Sequence, residues 1–507
     1  MKIDFFKYFL ICTFFIQLTT FAQQTRKVEI LHANSLEYDK SIGENVNRLL
    51  GKVVFRHEDF YMFCDSAYFY FETNTIKAFD NIRIKQGDSI LLIGKYLEYN
   101  GDTRIAKMRD SVIFMHNKSF LITDSLDYDR NLDMAYYYFK GRIYDGENKL
   151  RSKRGYYYTR FRDYYAVDSV VLVNPQYTMF SDTLRYNTET AISYFYGPTN
   201  IVSDSNFIYC ENGFYNTRTD EAGFSENAWL RSGSNFLKGD SLFYSRRIKF
   251  GEAFNNVSII DTLENIKAYG DYGYFYENPQ KAMLTEKALI EYYFDDDVVY
   301  LHSDTVYIYV DTSDFRHIKA FYKVQAYKSD FQLACDSLYF NSQDSILRLF
   351  FNPVLWGKNS QLTGDFIHVH FKEKKADWFF VDGNSFAVMQ VEQDTSKFNQ
   401  VLSRTMFGTL NDNEIETIDL KNDCQTIYYV VDEDTDEISA YNKIVSSNMK
   451  VAFEDNKLKM IWFYENPKGE TIPIEQLKNE QLFLRGFRWL EDYRPKTKDD
   501  IFIWKFN

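Results

Sequence analysis

The sequence predicts an all-β protein built from about twelve copies of one strand-based unit, stacked along the chain. Three observations lead to this prediction: a pentapeptide that recurs at a nearly constant interval, apolar residues that alternate with period two, and turn-forming residues between the copies. The clearest copies are Asp124–Tyr128, Asp182–Tyr186, Asp240–Tyr244 and Asp336–Phe340. With looser copies included, their last residues fall at 38, 69, 99, 128, 157, 186, 215, 244, 275, 308, 340 and 369. Such regularity indicates a repeat array.

Aligned on the aspartate, the repeats carry two pairs of inward-facing positions. One pair lies three and one residues before the aspartate, as Leu121 and Thr123 do. The other lies two and four residues after it, as Leu126 and Tyr128 do. Side chains two residues apart share one face of a strand, and the two pairs have opposite parity. Both pairs can face one interior only if the strand changes phase at the Asp-Ser step, so we expect a bulge or corner there.

Each repeat contains a second strand about seven to nine residues later. One example is Ile76–Phe79 followed by Asn81–Ile84, and another is Ile318–Phe321 followed by Val324–Ala326. These segments alternate with period two and are rich in β-branched and aromatic residues, which is typical of strands. Connectors such as Asn100–Asp102 have turn chemistry. We therefore expect bent, paired strands with one apolar side.

Residues 1–22 have the features of a signal peptide. Lys2 and Lys7 give a basic start, and Tyr8–Ile16 is an apolar run too short to span a bilayer comfortably. Thr20–Ala22 then offers small residues for cleavage before Gln23. We expect an exported chain whose repeat array covers residues 23–392.

Charge and cysteine positions limit the function further. The net charge is −13, and removing two lysines and one aspartate with residues 1–22 makes it −14, which argues against nucleic acid as a partner. Cys64, Cys210 and Cys335 all occupy the small position before the aspartate, in distant repeats, so they are too far apart to form disulfides. We expect them to be small buried residues. Cys424 lies outside the array.

A C-terminal β-rich segment is expected over residues 393–507, where the repeat pattern changes. Gln393–Asn413 is polar and is expected to be irregular. Pro473 can open a short helix through Gln481, followed by a mixed tail that caps the last rung. The strands expected here are Thr426–Val430, Met449–Phe453 and Lys459–Tyr464.

Polar clusters in the sequence do not form an active site. His368 and His370 would share a strand face, but no third metal ligand is near them in the sequence. Asp432–Asp436 resembles the start of a calcium loop, yet its sixth and twelfth positions are Glu437 and Lys443. The aspartate column is interrupted by lysines and is explained by its place at a bend. We expect no enzyme activity, no metal and no cofactor.

The continuous apolar columns are the candidate binding surface. They can form a dry core, or they can line a groove if the two arms of the bent strands splay apart. The candidate groove residues are Leu92, Tyr99, Leu121, Leu126, Tyr128, Leu150, Tyr157, Met179, Leu184, Tyr186, Tyr215, Leu237 and Tyr244.

These repeats resemble the organic-solvent-tolerance, or OstA-like, family of lipopolysaccharide transport and outer-membrane assembly. The resemblance is carried by units such as Ala78–Ile84, Gly87-Asp88 and Ile93–Tyr99, across about Val28 to Val391. Cys424–Tyr429 and Gly486–Leu490 resemble the ends of long members from Bacteroidetes-type bacteria.

The resemblance implies an elongated, open-ended, twisted β-jellyroll whose V-shaped groove shields the lipid A acyl chains of lipopolysaccharide. It implies a location in the periplasm, with or without association to the outer membrane. It also implies end-to-end contact with other jellyroll-containing transport proteins and with the outer-membrane translocon.

Several roles remain open from the sequence. The array has about twice the repeats of the short periplasmic bridge protein, and the sequence after residue 392 is too short for the translocon barrel, so bridge, chaperone and accessory roles are all compatible with it. One alternative is a structural or adhesive solenoid with a dry core. Another is a transmembrane β-barrel, although Glu98, Asp127 and Arg185 on the outward columns argue against a lipid-facing band.

Overall fold

The computed structural model describes residues 27–38, 40, 43–204, 206–294, 297–373, 375–411, 414–432, 434–454, 457–478 and 482–506. These residues are nearly all in antiparallel strands, which confirms the all-β prediction. Short 3₁₀ helices occur at Ile474–Gln476, Glu491–Tyr493 and Asp500–Phe502. No helix in the described part of the chain is long and apolar enough to cross a membrane. The predicted signal peptide lies outside the described residues.

The chain divides into two compact units. The N-terminal unit is Met1–Pro175 with Thr183–Glu189, and the C-terminal unit is Gln176–Asp182 with Thr190–Asn507. The strand β14 (Tyr177–Asn187) therefore contributes to both. The other strands of the N-terminal unit are β1 (Glu29–His32), β2 (Ser35–Tyr38), β3 (Val46–His57), β4 (Phe60–Tyr70), β5 (Thr75–Gln86), β6 (Ile90–Asn100), β7 (Ile105–His116), β8 (Ser119–Asp129), β9 (Met134–Tyr137), β10 (Gly141–Asp145), β11 (Asn148–Ser152), β12 (Arg154–Tyr158) and β13 (Asp163–Asn174).

The C-terminal unit continues with the same kind of strand. Its strands are β15 (Ile192–Val202), β16 (Asn206–Asn216), β17 (Glu221–Ser225), β18 (Trp229–Ser232), β19 (Asn235–Lys238), β20 (Ser241–Ser245), β21 (Phe250–Asp261), β22 (Ile266–Glu277), β23 (Gln280–Phe294), β24 (Asp297–Val310), β25 (Arg316–Lys328), β26 (Phe331–Asn341), β27 (Ile346–Phe350), β28 (Val354–Trp356), β29 (Ser360–Thr363), β30 (Phe366–Lys372), β31 (Lys375–Val391), β32 (Asp394–Asn411), β33 (Glu414–Val431), β34 (Ile438–Glu454), β35 (Lys457–Tyr464) and β36 (Lys468–Pro473).

A corner interrupts nearly every strand at the predicted place. In β4, Phe60, Met62 and Cys64 are buried, and after Asp65 the buried positions change parity to Ala67 and Phe69. The β4–β5 register shifts at this point. In other repeats the corner divides the strand in two, as between β9 and β10 or between β11 and β12. The predicted phase change is confirmed.

Left-handed backbone on the neighbouring strand completes each corner. Asp80 and Asn81 in β5 have φ of 60° and 47°, a conformation that asparagine and aspartate tolerate better than most residues. The Asn81 side chain donates a 2.6 Å hydrogen bond to Asp65. Asn256, also left-handed, donates in the same way to Asp240 in the C-terminal unit. The aspartate column is thus part of the corner structure.

The two arms of the bent strands face each other across an apolar interior. In the N-terminal unit, Phe60 at the start of β4 packs on Tyr99 near the end of β6, with ring centroids 5.4 Å apart. Phe114 in β7 packs on Tyr157 in β12 at 5.8 Å. Within this unit the architecture is that of a jellyroll whose core lies between the arms.

Beyond residue 392 the structure differs from expectation in two respects. The segment predicted to be irregular, Gln393–Asn413, forms β32, which pairs with β31 and β33. Cys424 lies at a register shift of β33 and is 1% exposed, so it occupies a corner like the other cysteines. Alternating strand pairing therefore continues past the expected end of the array. The 3₁₀ helix after Pro473 ends at Gln476, so it is shorter than expected. The expected strands at 426–430, 449–453 and 459–464 lie in β33, β34 and β35.

Candidate functional site

In the N-terminal unit, hydroxyls of the aromatic column close the open side of the interior. The Tyr99 hydroxyl lies 2.6 Å from His57 Nδ1, and the Tyr157 hydroxyl lies 2.5 Å from His116 Nδ1. In each pair the tyrosine is on one arm and the histidine is at the free end of the other. We call these contacts tyrosine latches.

Two more contacts of the same kind complete the row. Tyr128 donates a 2.9 Å hydrogen bond to Gln86, and Tyr186 donates a 2.6 Å hydrogen bond to Asp145. The partners at 57, 86, 116 and 145 recur at intervals of 29, 30 and 29 residues. Sequence reasoning missed them, although a polar residue recurring with the period of the repeat was a signal that could have found them.

The latches are buried polar contacts, and buried polar contacts are costly to break. Tyr99 and His57 are at most 1% exposed. Arg130, whose side chain is 5% exposed, donates to the Tyr99 hydroxyl and to Asp59. Burial raises the pKa of Tyr99 and lowers the pKa of His116. Tyr99 and His116 are therefore held in their neutral forms.

The row of latches ends at Tyr186. The next tyrosine of the column, Tyr215, donates to Asp220 on its own hairpin, and Tyr244 donates to Glu277. Burial, followed by these bonds to carboxylates, raises the pKa of each to about 12. Later members of the column have no hydroxyl and cannot latch: Phe275, Ile308, Phe340 and Val369.

The exposure of the predicted site residues follows the latches. Ten of the thirteen are 5% exposed or less: Leu92, Tyr99, Leu121, Leu126, Tyr128, Leu150, Tyr157, Met179, Leu184 and Tyr186. The remaining three, all in the C-terminal unit, are partly exposed: Tyr215, Leu237 and Tyr244. The interior is closed where tyrosine latches occur and open to solvent where they do not.

The open stretch of the C-terminal unit has two apolar walls. Strand register places one continuous row across β16, β18, β19, β21, β22, β23 and β24, consisting of Ile208, Leu230, Leu237, Ile259, Ala268, Ile290 and Leu301. All seven are partly exposed. The facing row consists of Tyr215, Ala222, Tyr244, Gly251, Phe275, Ala282, Ile308, Ile318 and Phe340. We call the space between these rows the groove.

The floor of the groove is narrow and buried. It is formed at the corners by small or β-branched residues, among them Cys210, Val257 and Ala288, each at most 2% exposed. Neither wall row contains a charged side chain. Such a lining can hold aliphatic chains by burial of apolar surface.

The polar clusters singled out in the sequence make local contacts in the structure. His370 Nδ1 lies 3.0 Å from Asp377 and its ring stacks on Trp378. Asp432 accepts backbone N–H groups from Asp434 and Thr435, as in a turn. No group of three or more potential metal ligands occurs among the described residues.

A feature that the sequence did not reveal is the path of the C-terminal tail, residues 482–506. Three buried glutamines bind its backbone. Gln400 donates to the Leu482 carbonyl and accepts from the Leu484 amide, each at 2.9 Å. Gln361 binds Arg488 and Leu490 in the same two-sided way.

The third glutamine shows which face of the sheet the tail covers. Gln325 donates to the carbonyls of Ile501 and Ile503 at 2.9 and 3.1 Å. Its neighbour Ala326 pairs with Leu301 of the groove wall. Because adjacent residues of a strand point to opposite faces, Gln325 and the tail lie on the outer face. The tail therefore leaves the groove unfilled.

These features define a class: an antiparallel β repeat protein with corner-bent strands around a long apolar interior. Residues 25–182 and 178–240 match the family described as OstA-like protein. This match confirms, over residues 25–240, the resemblance to OstA-like proteins that the repeats indicated. No curated protein matches the chain.

Among solved structures, one similar chain is LptH from Pseudomonas aeruginosa, the LptA-homologous periplasmic component of its lipopolysaccharide transport device. The two chains are 13% identical, and the match covers 34% of this chain and 82% of that one with a TM-score of 0.12.

Proposed function

We propose that this chain is a non-catalytic, exported lipid-binding protein that shields the acyl chains of lipopolysaccharide on their way to the outer membrane. The observation that carries the proposal is the groove of the C-terminal unit, where both apolar walls are partly exposed. The OstA-like match of residues 25–240 supports the same role, and so does the sequence pattern of the later repeats.

The groove has the chemistry that an acyl chain requires. Burial of each methylene stabilises the bound state by about 0.8 kcal/mol. In the wall that contains Tyr215 and Tyr244, bulky side chains alternate with Ala222 and Gly251 along the row. A thin flexible chain fits such a surface, whereas a charged ligand finds no side chain of opposite charge in either wall row.

The proposal gives the two units different tasks. The N-terminal unit is closed by its latches and acts as a rigid structural segment. The C-terminal unit holds the lipid, so Tyr215, Leu237 and Tyr244 are the lipid contacts among the sequence-predicted candidates. The same proposal includes contacts with other jellyroll transport proteins and with the outer-membrane translocon. It also places the protein in the periplasm. Both parts rest on the family resemblance.

Site-specific photo-crosslinking in a Gram-negative host tests this proposal. A photoreactive phenylalanine analogue replaces Tyr215 or Leu237 in the groove, Phe114 in the closed interior, or the exposed Lys238 on the outer face. We expect lipopolysaccharide adducts at Tyr215 and Leu237 and none at Phe114 or Lys238. Because Phe114 is 0% exposed and takes part in no latch, adducts at Phe114 as well would mean that the latches open in the cell.

A structural solenoid with a dry core is the second candidate. The buried interior between β4 and β12 of the N-terminal unit, where Leu126 and Tyr99 are 0% exposed, favours it for that part of the chain. If a folded, exported protein gives no lipid adduct at Tyr215 or Leu237, the structural role is preferred for the whole chain.

A further inference from the structure

An aromatic patch lies on the outer face of the N-terminal unit, away from the groove and the latches. Strand register places Tyr136, Tyr156 and Tyr165 side by side on β9, β12 and β13. Tyr138 and Phe161 extend the patch and are 48% and 62% exposed. Their rings expose apolar surface that neither the core nor the lipid proposal uses.

The same outer row has a different composition on the preceding strands. From β2 to β8 its successive members are Glu37, Arg48, Tyr68, Lys77, Glu98, Lys107 and Asp127. Charged residues of alternating sign suit a solvent face and cross-strand pairing. The row then continues with three consecutive tyrosines. The change from a mainly charged row to exposed aromatic rings indicates a surface with a ligand.

The patch also contains a cavity of about 450 Å³. Its lining residues are Tyr156, Tyr158, Phe161, Asp163, Tyr165 and Val167. Cross-strand stacking explains the ring pair Tyr136–Tyr156, with centroids 6.5 Å apart. Stacking does not explain why the surface here is concave, or why its lining combines several aromatic rings with a carboxylate and several hydroxyls. Such a combination of flat apolar faces and oriented polar groups is typical of a ligand site.

Charges around the cavity restrict the class of ligand. Asp163 is paired with Arg185 at 2.8 Å, and its other oxygen accepts from Asn187. The guanidinium of Arg185 lies 5.8 Å from the Tyr165 ring centroid, and that of Arg160 lies 5.9 Å from the Phe161 centroid. Because arginines already occupy these two ring faces, a cationic ligand is disfavoured. Arg185 is already paired with Asp163, so it offers no free charge to a polyanion such as a nucleic acid strand.

We propose that this cavity and the tyrosine row bind a carbohydrate chain. The C–H faces of sugar rings pack on tyrosine rings. The sugar hydroxyls form hydrogen bonds with the phenol groups and with the carboxylate of Asp163. The lining of the cavity provides both kinds of group. The three tyrosines in register offer aromatic contacts to successive sugar units. The site is independent of the lipid groove, and neither proposal requires the other.

Saturation-transfer NMR with full-length mature protein tests the site. The probes are maltohexaose, cellohexaose and a hexamer of β-1,4-mannose, with choline and inorganic polyphosphate as charged comparisons. We expect transfer to at least one hexasaccharide and to neither charged probe. The Tyr156→Ala/Tyr165→Ala double variant should weaken that signal at least tenfold.

Two further variants keep the result interpretable. Phe161→Ser removes a ring that is 62% exposed, so it should weaken binding without affecting folding. Tyr144→Ala is the matched control because Tyr144 stacks on Phe120 at 4.9 Å on the same unit but lies outside the cavity lining, and it should bind as the unmodified protein does. Absence of transfer to every hexasaccharide overturns the proposal. So does transfer that survives Phe161→Ser, or stronger binding of a charged probe.

Discussion

At the scale of single residues, Leu126 and Asp127 are neighbours in β8 with opposite environments. Leu126 is 0% exposed, whereas Asp127 faces outward and pairs with Arg109 at 2.6 Å. Leu126→Asp should cost several kcal/mol because it buries an unpaired carboxylate. Asp127→Ser should cost about 1 kcal/mol because it removes one partly exposed ion pair. Thermal melts that show equal effects would contradict the assignment of the two faces.

The four described cysteines are free and buried, as the small-residue column predicted for Cys64, Cys210 and Cys335. Burial, followed by the nearby Asp65, raises the pKa of Cys64 to about 12, and burial raises that of Cys210 to about 12. Because the thiolate is the reactive form, we expect slow alkylation of the folded mature protein at pH 8. Denaturation without reductant should expose four reactive thiols, and fewer than four would reveal a disulfide.

His116 predicts a pH dependence of stability in the N-terminal unit. Burial, followed by the nearby Arg162, holds its pKa below the ordinary value. The unfolded imidazole takes up a proton near pH ~6.5, while the folded one stays neutral at that pH. Stability is therefore fully present above about pH 6.5 and falls as the solution is acidified below it. Denaturant unfolding at pH 7.5 and 5.5 should show a smaller loss in His116→Gln than in the unmodified protein. An equal loss in both would assign the effect to other groups.

At the scale of elements, each latch joins one arm of a bent strand to the opposite arm of another strand. Tyr157→Phe removes the hydroxyl that contacts His116 and leaves the buried imidazole without this partner. A buried polar group that loses its partner costs roughly 1–3 kcal/mol. We expect that loss in the free energy of unfolding, together with faster amide exchange in β7 and β12.

Tyr215→Phe is the matched control for the latch. Its hydroxyl bonds to Asp220 within the same hairpin, so the residue is chemically equivalent but does not join two arms. We expect Tyr215→Phe to lower the free energy of unfolding by only a few tenths of a kcal/mol. Amide exchange outside β16 and β17 should not change. A Tyr215→Phe effect as large as that of Tyr157→Phe would show that the latch position is not special.

The sequence predicted well those elements whose two faces differ. The corner at Asp65 and the inward column of Leu126 and Tyr128 follow from local alternation, which one strand displays by itself. The latches were not predicted because each joins residues 41 or 42 positions apart. The strand β32 was mistaken for irregular chain because its outward residues are polar and its pairing partners supply most of its order.

At the scale of the whole molecule, the two units reach stability in different ways. The N-terminal unit buries its apolar columns by closing the arms. The C-terminal unit leaves its groove walls partly exposed, so it needs apolar burial elsewhere. The tail provides it on the outer face, where Leu490, Tyr493, Trp504 and Phe506 pack on a cluster that includes the fully buried Trp356. The sequence did not predict this burial by the tail. Gln325, Gln361 and Gln400 occupy outward positions of their strands, where glutamine is an ordinary solvent-facing residue.

Removing residues 482–507 should therefore destabilise the C-terminal unit without opening the latches. The outer face would lose its cover over the cluster of Phe386, Ile427, Tyr429 and Tyr441, and its buried glutamines would lose the backbone groups they bind. We expect faster amide exchange in β29, β31 and β33, increased binding of a hydrophobic dye, and unchanged exchange in β4 to β8.

The point variant Gln400→Leu should reproduce part of the effect of the deletion. It leaves the Leu482 carbonyl and the Leu484 amide unpaired, at a cost in stability of roughly 1–3 kcal/mol each. Gln343→Leu, at an exposed turn, should have almost no effect. Normal exchange in β31 and β33 after the deletion would mean that the tail does not stabilise the open unit.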